Sequence, residues 1–131
     1  LLVIPITLAE IDRSKYRQCS EEELKDYESY SYCLTDNTYG KQVWQGAYVL
    51  NINDKEISLR GKISHQDDFT KTEYGSVKMD YDKQIQRSLF MDNVLYTISN
   101  SKIKSNDLGT VDEINSLDLG YKQDSQVYYA E

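Results

Sequence analysis

Apolar and polar residues alternate with a period of two in two stretches of this 131-residue chain. That pattern constrains the fold more than any other feature. In the first stretch Trp44, Tyr48, Leu50 and Ile52 share one face after a break at Gly46. A turn at Asn53-Asp54-Lys55 follows, and then Ile57, Leu59, Gly61 and Ile63 alternate with Glu56, Ser58, Arg60 and Lys62. A half-buried strand puts successive side chains on opposite faces, so these residues read as a hairpin. The second stretch runs from Ile85 to Met91, turns at Asp92-Asn93, and continues through Val94 to Ile98. Polar turns at Ser99-Asn100-Ser101 and around Gly109 then separate Lys102 to Lys104 from Ile114 to Leu119. Strands joined by such short connections form an antiparallel meander, so the chain is predicted to be all-β.

The opening residues, Leu1 to Leu8, read as another strand, although Pro5 cannot donate to a ladder and belongs on an edge or a bulge. Residues 9–41 change character and are expected to be an insertion that leaves the sheet. Within them Ser20 precedes Glu21-Glu22-Glu23, with Leu24 and Tyr27 at helical spacing, which predicts one short helix over Glu21 to Glu28. Residues 66–84 are a second polar excursion, and 121–131 a tail. The chain starts on Leu1-Leu2-Val3-Ile4 rather than on a methionine, so it is expected to be a fragment of a longer protein.

A faint internal repeat organises these pieces. Leu2 to Thr7 resembles Leu95 to Ser99, and the hairpin Val43 to Ile63 resembles Lys102 to Leu119. Once the two excursions are removed, the offset falls to about 41 residues, the period of a four-stranded propeller blade. On this alignment residues 85–120 form a complete blade, and residues 1–65 form a blade that lacks its first strand. About two blades cannot close a ring, which needs about four. Their open faces and edges predict self-association, with a monomeric sandwich of two sheets as the alternative.

The net charge of −7 opposes phosphate backbones, and the basic pair Lys102 and Lys104 lies near Asp107, so nucleic acid is not an expected partner. No apolar run approaches the roughly 18 residues of a membrane span. Cys19 and Cys33 lie in the polar insertion, with a spacing that fits neither a redox pair nor a zinc site. A disulfide there would close a loop of about 15 residues and stabilise it by about 3 kcal/mol in the chain-entropy model. Two unlinked thiols are the alternative. A polar loop offers a free thiol no apolar burial, which favours the bridge and an oxidising compartment.

Three groups could carry chemistry. His65, the one histidine, lies near Asp67 and Asp68 and could act as a base, but no nucleophile elbow accompanies it. A structural, hydrogen-bonded histidine is the more ordinary reading. Asp67, Asp68, Asp80 and Asp82 could converge on Ca2+, although the glycine and glutamate of an EF-hand loop are missing and solvated acids explain them as well. No other cofactor is expected, because the glycines are scattered and form no phosphate loop. The compositional outlier is tyrosine, with 12 residues against two phenylalanines and one tryptophan. Tyr27, Tyr30, Tyr32 and Tyr39 fall in the cysteine loop among serines and acids, a composition suited to recognition. Tyrosines that simply pack strands and loops are the alternative.

The run RSLFMDNVLYTISNSKIKSNDL from Arg87, followed by DEINSLDL from Asp112, resembles the C-terminal β-propeller domain of secreted archaeal and bacterial proteins. LLVIPITLAEI at the start, WQGAYVLNI from Trp44 and ISLRGKISH from Ile57 are similar to the preceding blade of that family. The resemblance implies antiparallel four-stranded blades, export, and a place outside the cell or on its surface. It transfers no catalytic residues. The function expected is a non-catalytic binding or scaffolding module that meets a protein or glycan at the cell surface. A purely structural envelope component is the alternative, and an extracellular enzyme working on the propeller face is a more distant one.

Overall fold

A computed structural model describes residues 1–120, so the tail expected at 121–131 lies outside the described residues. The chain is all-β. Strands β1 (Leu2–Glu10), β2 (Lys41–Ile52) and β3 (Ile57–Ile63) form one antiparallel sheet in that order. Strands β4 (Arg87–Met91), β5 (Val94–Ile98), β6 (Lys102–Asp107) and β7 (Glu113–Asp118) form a four-stranded meander. This is the arrangement that the period-two stretches predict. Pro5 fits because β1 is an edge strand, where a missing N–H need not break a ladder.

The sheets meet face to face. Gln45, Ala47 and Val49 of β2 point inward and are buried, as are Leu95 and Thr97 of β5. Ala47, Val49, Ile63, Ile85, Leu95 and Val111 make one apolar cluster between the sheets, with Val3 and Leu108 packed against it. Among the described residues no helix is long and apolar enough to cross a membrane.

Two sequence expectations change. Ile57, Leu59, Gly61 and Ile63 do not share a face. Val49 pairs with Gly61 but Leu50 pairs with Leu59, so Arg60 is an extra residue that bulges β3. A bulge reverses the sense of alternation along a strand. Gly61 and Ile63 therefore look inward with Val49 and Ala47, while Leu59 and Ile57 turn outward with Leu50 and Ile52. Ile57 is 66% exposed and Ile63 only 3%. The bulge also aims Arg60, whose Nε donates to Asn51 Oδ1 and whose Nη1 donates across the seam to the Leu108 carbonyl, both at 2.6 Å.

The single helix expected at Glu21 to Glu28 is a 3₁₀ turn at Glu23–Lys25 followed by one α-helical turn, α1 (Tyr27–Tyr30). Asp26 between them is extended, with φ −88° and ψ 121°. The N-cap position of the 3₁₀ turn is Glu22 rather than Ser20, but Ser20 still meets Glu23 reciprocally: its N–H donates to Glu23 Oε2 at 2.9 Å and its Oγ accepts from Glu23 N–H at 3.3 Å. A segment this short needs an apolar face against the core to hold a helix, and Leu24 and Tyr27 are both exposed.

Candidate functional site

The cysteine insertion is braced at its neck. Cys19 and Cys33 are joined in a disulfide, as their setting predicts, with Cα atoms 5.6 Å apart. Beside the bridge Arg17 N–H donates to the Tyr32 carbonyl and Leu34 N–H to the Arg17 carbonyl, both at 2.9 Å. The Arg17 guanidinium reaches Glu23 at 2.6 Å. Beyond the neck, Tyr27, Tyr30 and Tyr32 surround an open hollow of about 590 Å3 with Glu28 and Ser31. All three rings are exposed, Tyr27 by 92%.

Tyr39 goes elsewhere. It lines a separate, more enclosed cleft of about 350 Å3 with Tyr16, Lys41 and Glu10, and with Lys71 and Tyr74 from the second excursion. The structure thus brings together three of the four loop tyrosines and parts the fourth from them. Sequence reasoning missed Tyr16, Lys71 and Tyr74, since Lys71 and Glu10 are 61 residues apart and meet only because the fold brings the two excursions to one end.

Asp67, Asp68, Asp80 and Asp82 line one open cleft along with Lys78 and Lys83. Three of the four carboxylates, those of Asp67, Asp68 and Asp80, are engaged in hydrogen bonds. Asp67 accepts from Lys83 and, at 3.3 Å, from Lys102, and the Lys83 hydrogen bond holds its carboxyl below the usual range. Asp68 caps Thr70, accepting from its Oγ1 at 2.7 Å and its N–H at 2.8 Å. Asp80 accepts from Asp82 N–H at 3.0 Å at the start of the 3₁₀ turn Tyr81–Lys83. Among the described residues no group of three or more histidines, cysteines or acids is placed to hold a metal ion.

His65 is fully buried between the sheets. Its Nδ1 lies 2.9 Å from Ser99 Oγ and its Nε2 2.9 Å from Thr97 Oγ1, so each ring nitrogen is engaged. Burial first, then the charges of Lys104 and Lys102, pushes its pKa down to about 4, against a small opposing pull from Glu113. Asp67 and Asp68 do not orient it. The arrangement is that of a neutral structural histidine locking β5 to the end of β3.

Residues 1–111 match the β-propeller domain model. The chain belongs to the β-propeller domain family. No curated protein and no solved structure is found to match it. In propeller terms β4 to β7 are a four-stranded blade, and β1 to β3 are the neighbouring blade with one strand fewer. His65 and the inward face of β5 belong to the seam between blades, whereas both excursions project from it.

Proposed function

We propose that this β-propeller domain is a non-catalytic binding module that works outside the cell or at its surface. Its cysteine loop offers Tyr27, Tyr30 and Tyr32 to a protein partner. The observation that carries this reading is a disulfide-braced neck holding three exposed tyrosines around one hollow. A folded chain gains nothing by leaving three large rings in water, whereas a partner that covers them gains contact area from side chains with few rotors. The disulfide supports an oxidising compartment. The test is retention of a partner from the extracellular fraction of the source cell, using the intact chain and a Tyr27→Ser/Tyr30→Ser/Tyr32→Ser variant side by side. A protein held by the first and lost by the second, with melting temperatures within about 2 °C of each other, is the expected result. Equal retention by both removes the loop from the function.

A structural role in an assembly has its own observation. Register places Leu89, Met91, Tyr96, Ile98, Ile103 and Leu117 on the outward face of the four-stranded blade. Leu89, Met91 and Leu117 are exposed there. A further blade or a second copy would cover that face. Sedimentation velocity over a range of concentrations distinguishes the cases: self-association that Leu117→Glu abolishes supports assembly, and a monomer at every concentration excludes it for this chain.

A further inference from the structure

We propose that the cleft between the two excursions is a second binding site, specific for an acidic sugar, a pyranose that carries a carboxylate. The inference rests on reading the chain as a binding module, but uses different residues from the loop tip. Its walls come from both excursions and are tethered. Lys71 and Val77 pair as a small hairpin whose tip is Tyr74, and the turn closes through Gly75, where φ is +80°. Val77 N–H donates to the Gln42 carbonyl at 2.8 Å, which holds that hairpin on β2. On the other side Gly40 packs so closely on Ala9 that an added Cβ would stand 3.0 Å from the alanine Cβ, fixing the chain just after Tyr39. A cleft of about 350 Å3 is therefore held open between tethered segments, within the roughly 300–1,000 Å3 of small-molecule sites.

The chemistry of the lining selects the ligand. Tyr39 and Tyr74 both face the cleft and remain exposed, Tyr39 by 89%. Aromatic rings with a hydroxyl handle suit the C–H face and the hydroxyls of a pyranose. In the same lining Lys71 and Glu10 are paired at 2.7 Å, which sets a donor beside an acceptor for vicinal hydroxyls. Lys15 is paired with Asp12 at 3.7 Å. Lys41 stands opposite Glu10 in the β1–β2 register, but that carboxylate is paired with Lys71, so the described lining holds three lysines against two acids in a protein of net charge −7. An ammonium alone would accept any anion, phosphate included. With tyrosines on the walls, the geometry favours an anion borne on a sugar ring.

Isothermal titration of the full chain tests this with three probes: trigalacturonate, the uncharged galactotriose, and inorganic phosphate. Trigalacturonate should bind, at least about tenfold more tightly than either of the others. Lys41→Met should remove most of that preference, and Tyr39→Ala/Tyr74→Ala should weaken trigalacturonate by about tenfold or more. Tyr27→Ser/Tyr30→Ser/Tyr32→Ser should leave it unchanged, which separates failure of this site from failure of the loop tip. No binding by the intact chain, equal affinity for the charged and uncharged sugars, phosphate binding as tight as trigalacturonate, or loss only in the loop-tip variant would each overturn the assignment. Should the double tyrosine variant fail to fold, Lys41→Met at an exposed strand start still decides the question.

Discussion

The seam between the blades and the ends of the two excursions are both rich in polar residues, and they use them in opposite ways. In the seam, His65, Thr97, Gln45 and Asn106 are buried and tied to neighbours. Gln45 is clipped to the Ile85 backbone by a donor and an acceptor at 3.5 and 3.3 Å. Asn106 Nδ2 donates to the Val111 carbonyl at 2.9 Å. A buried polar group must find such partners or forfeit free energy, as the unpartnered Asn106 Oδ1 does, and the chemistry of the paired groups is already consumed by the fold. At the excursions the tyrosines and Lys41 remain in water, with their contact surface and charge uncommitted. Burial and pairing, rather than residue type, separate the structural polar groups from those available to a ligand.

Perturbing the seam should give the largest effect. Leu95 is almost wholly buried at the centre of the inter-sheet cluster. Leu95→Ala should lower unfolding free energy by about 3–5 kcal/mol in urea titration, from lost transfer and the cavity left behind. Leu117→Ala, on the outward face, should change it by no more than about 0.5 kcal/mol. Equal effects at the two positions would mean that the sheets do not bury each other.

Proton linkage at His65 comes next. Its folded pKa, about 4, lies below the ordinary 6.5. Between those values the unfolded chain binds a proton that the folded chain refuses, so stability is complete above about pH 6.5 and falls as pH drops towards 4. At roughly 1.4 kcal/mol for each pH unit, the full loss is on the order of 3 kcal/mol. Urea titrations at pH 7, 5.5 and 4 measure it. Asp67 and Glu113, whose carboxyls are held low by Lys83 and Lys104, lose stability too as the pH falls towards and through their lowered values. The difference between the intact chain and His65→Gln therefore isolates the histidine, and parallel pH profiles for the two would deny its burial.

The strands were legible because alternation is local, and the turns at Asn53-Asp54-Lys55 and Asp92-Asn93 announce themselves. Asn53 Oδ1 accepts from the N–H groups of Lys55 and Glu56, as a turn residue of its type should. The Arg60 bulge was not legible. An unbroken apolar–polar alternation continues straight through it, and only pairing with β2 shows that one residue is surplus. Val111 was hidden for a similar reason. A β-branched residue at φ 68° is unexpected from sequence, and it is held there by packing against Gly61, where an added Cβ would come within 3.0 Å. Composition singled out the loop tyrosines, but which of them share a hollow depends on the course of the chain after Cys33. The second cleft needs contacts between segments some sixty residues apart, and no local pattern carries those.

A small global effect should follow from opening the cysteine bridge, and it tests the contrast between seam and excursion from the other side. The hydrogen bonds described above for Arg17, Ser20, Glu23 and Tyr32 all close within the insertion. None ties it to either sheet. The bridge therefore orders the loop rather than the blades. In Cys19→Ala/Cys33→Ala the melting temperature should move by less than about 3 °C. The roughly 3 kcal/mol of chain-entropy stabilisation should instead be lost locally. Proteolytic cleavage between Lys15 and Lys41 would then quicken by about a hundredfold in the regime where it follows the open population. A global loss of the full 3 kcal/mol, with cleavage in the loop no faster than elsewhere, would show that loop and blades fold as one unit. The tyrosines at the tip would then be coupled to the seam, and a partner bound there would stabilise the whole domain rather than the loop alone.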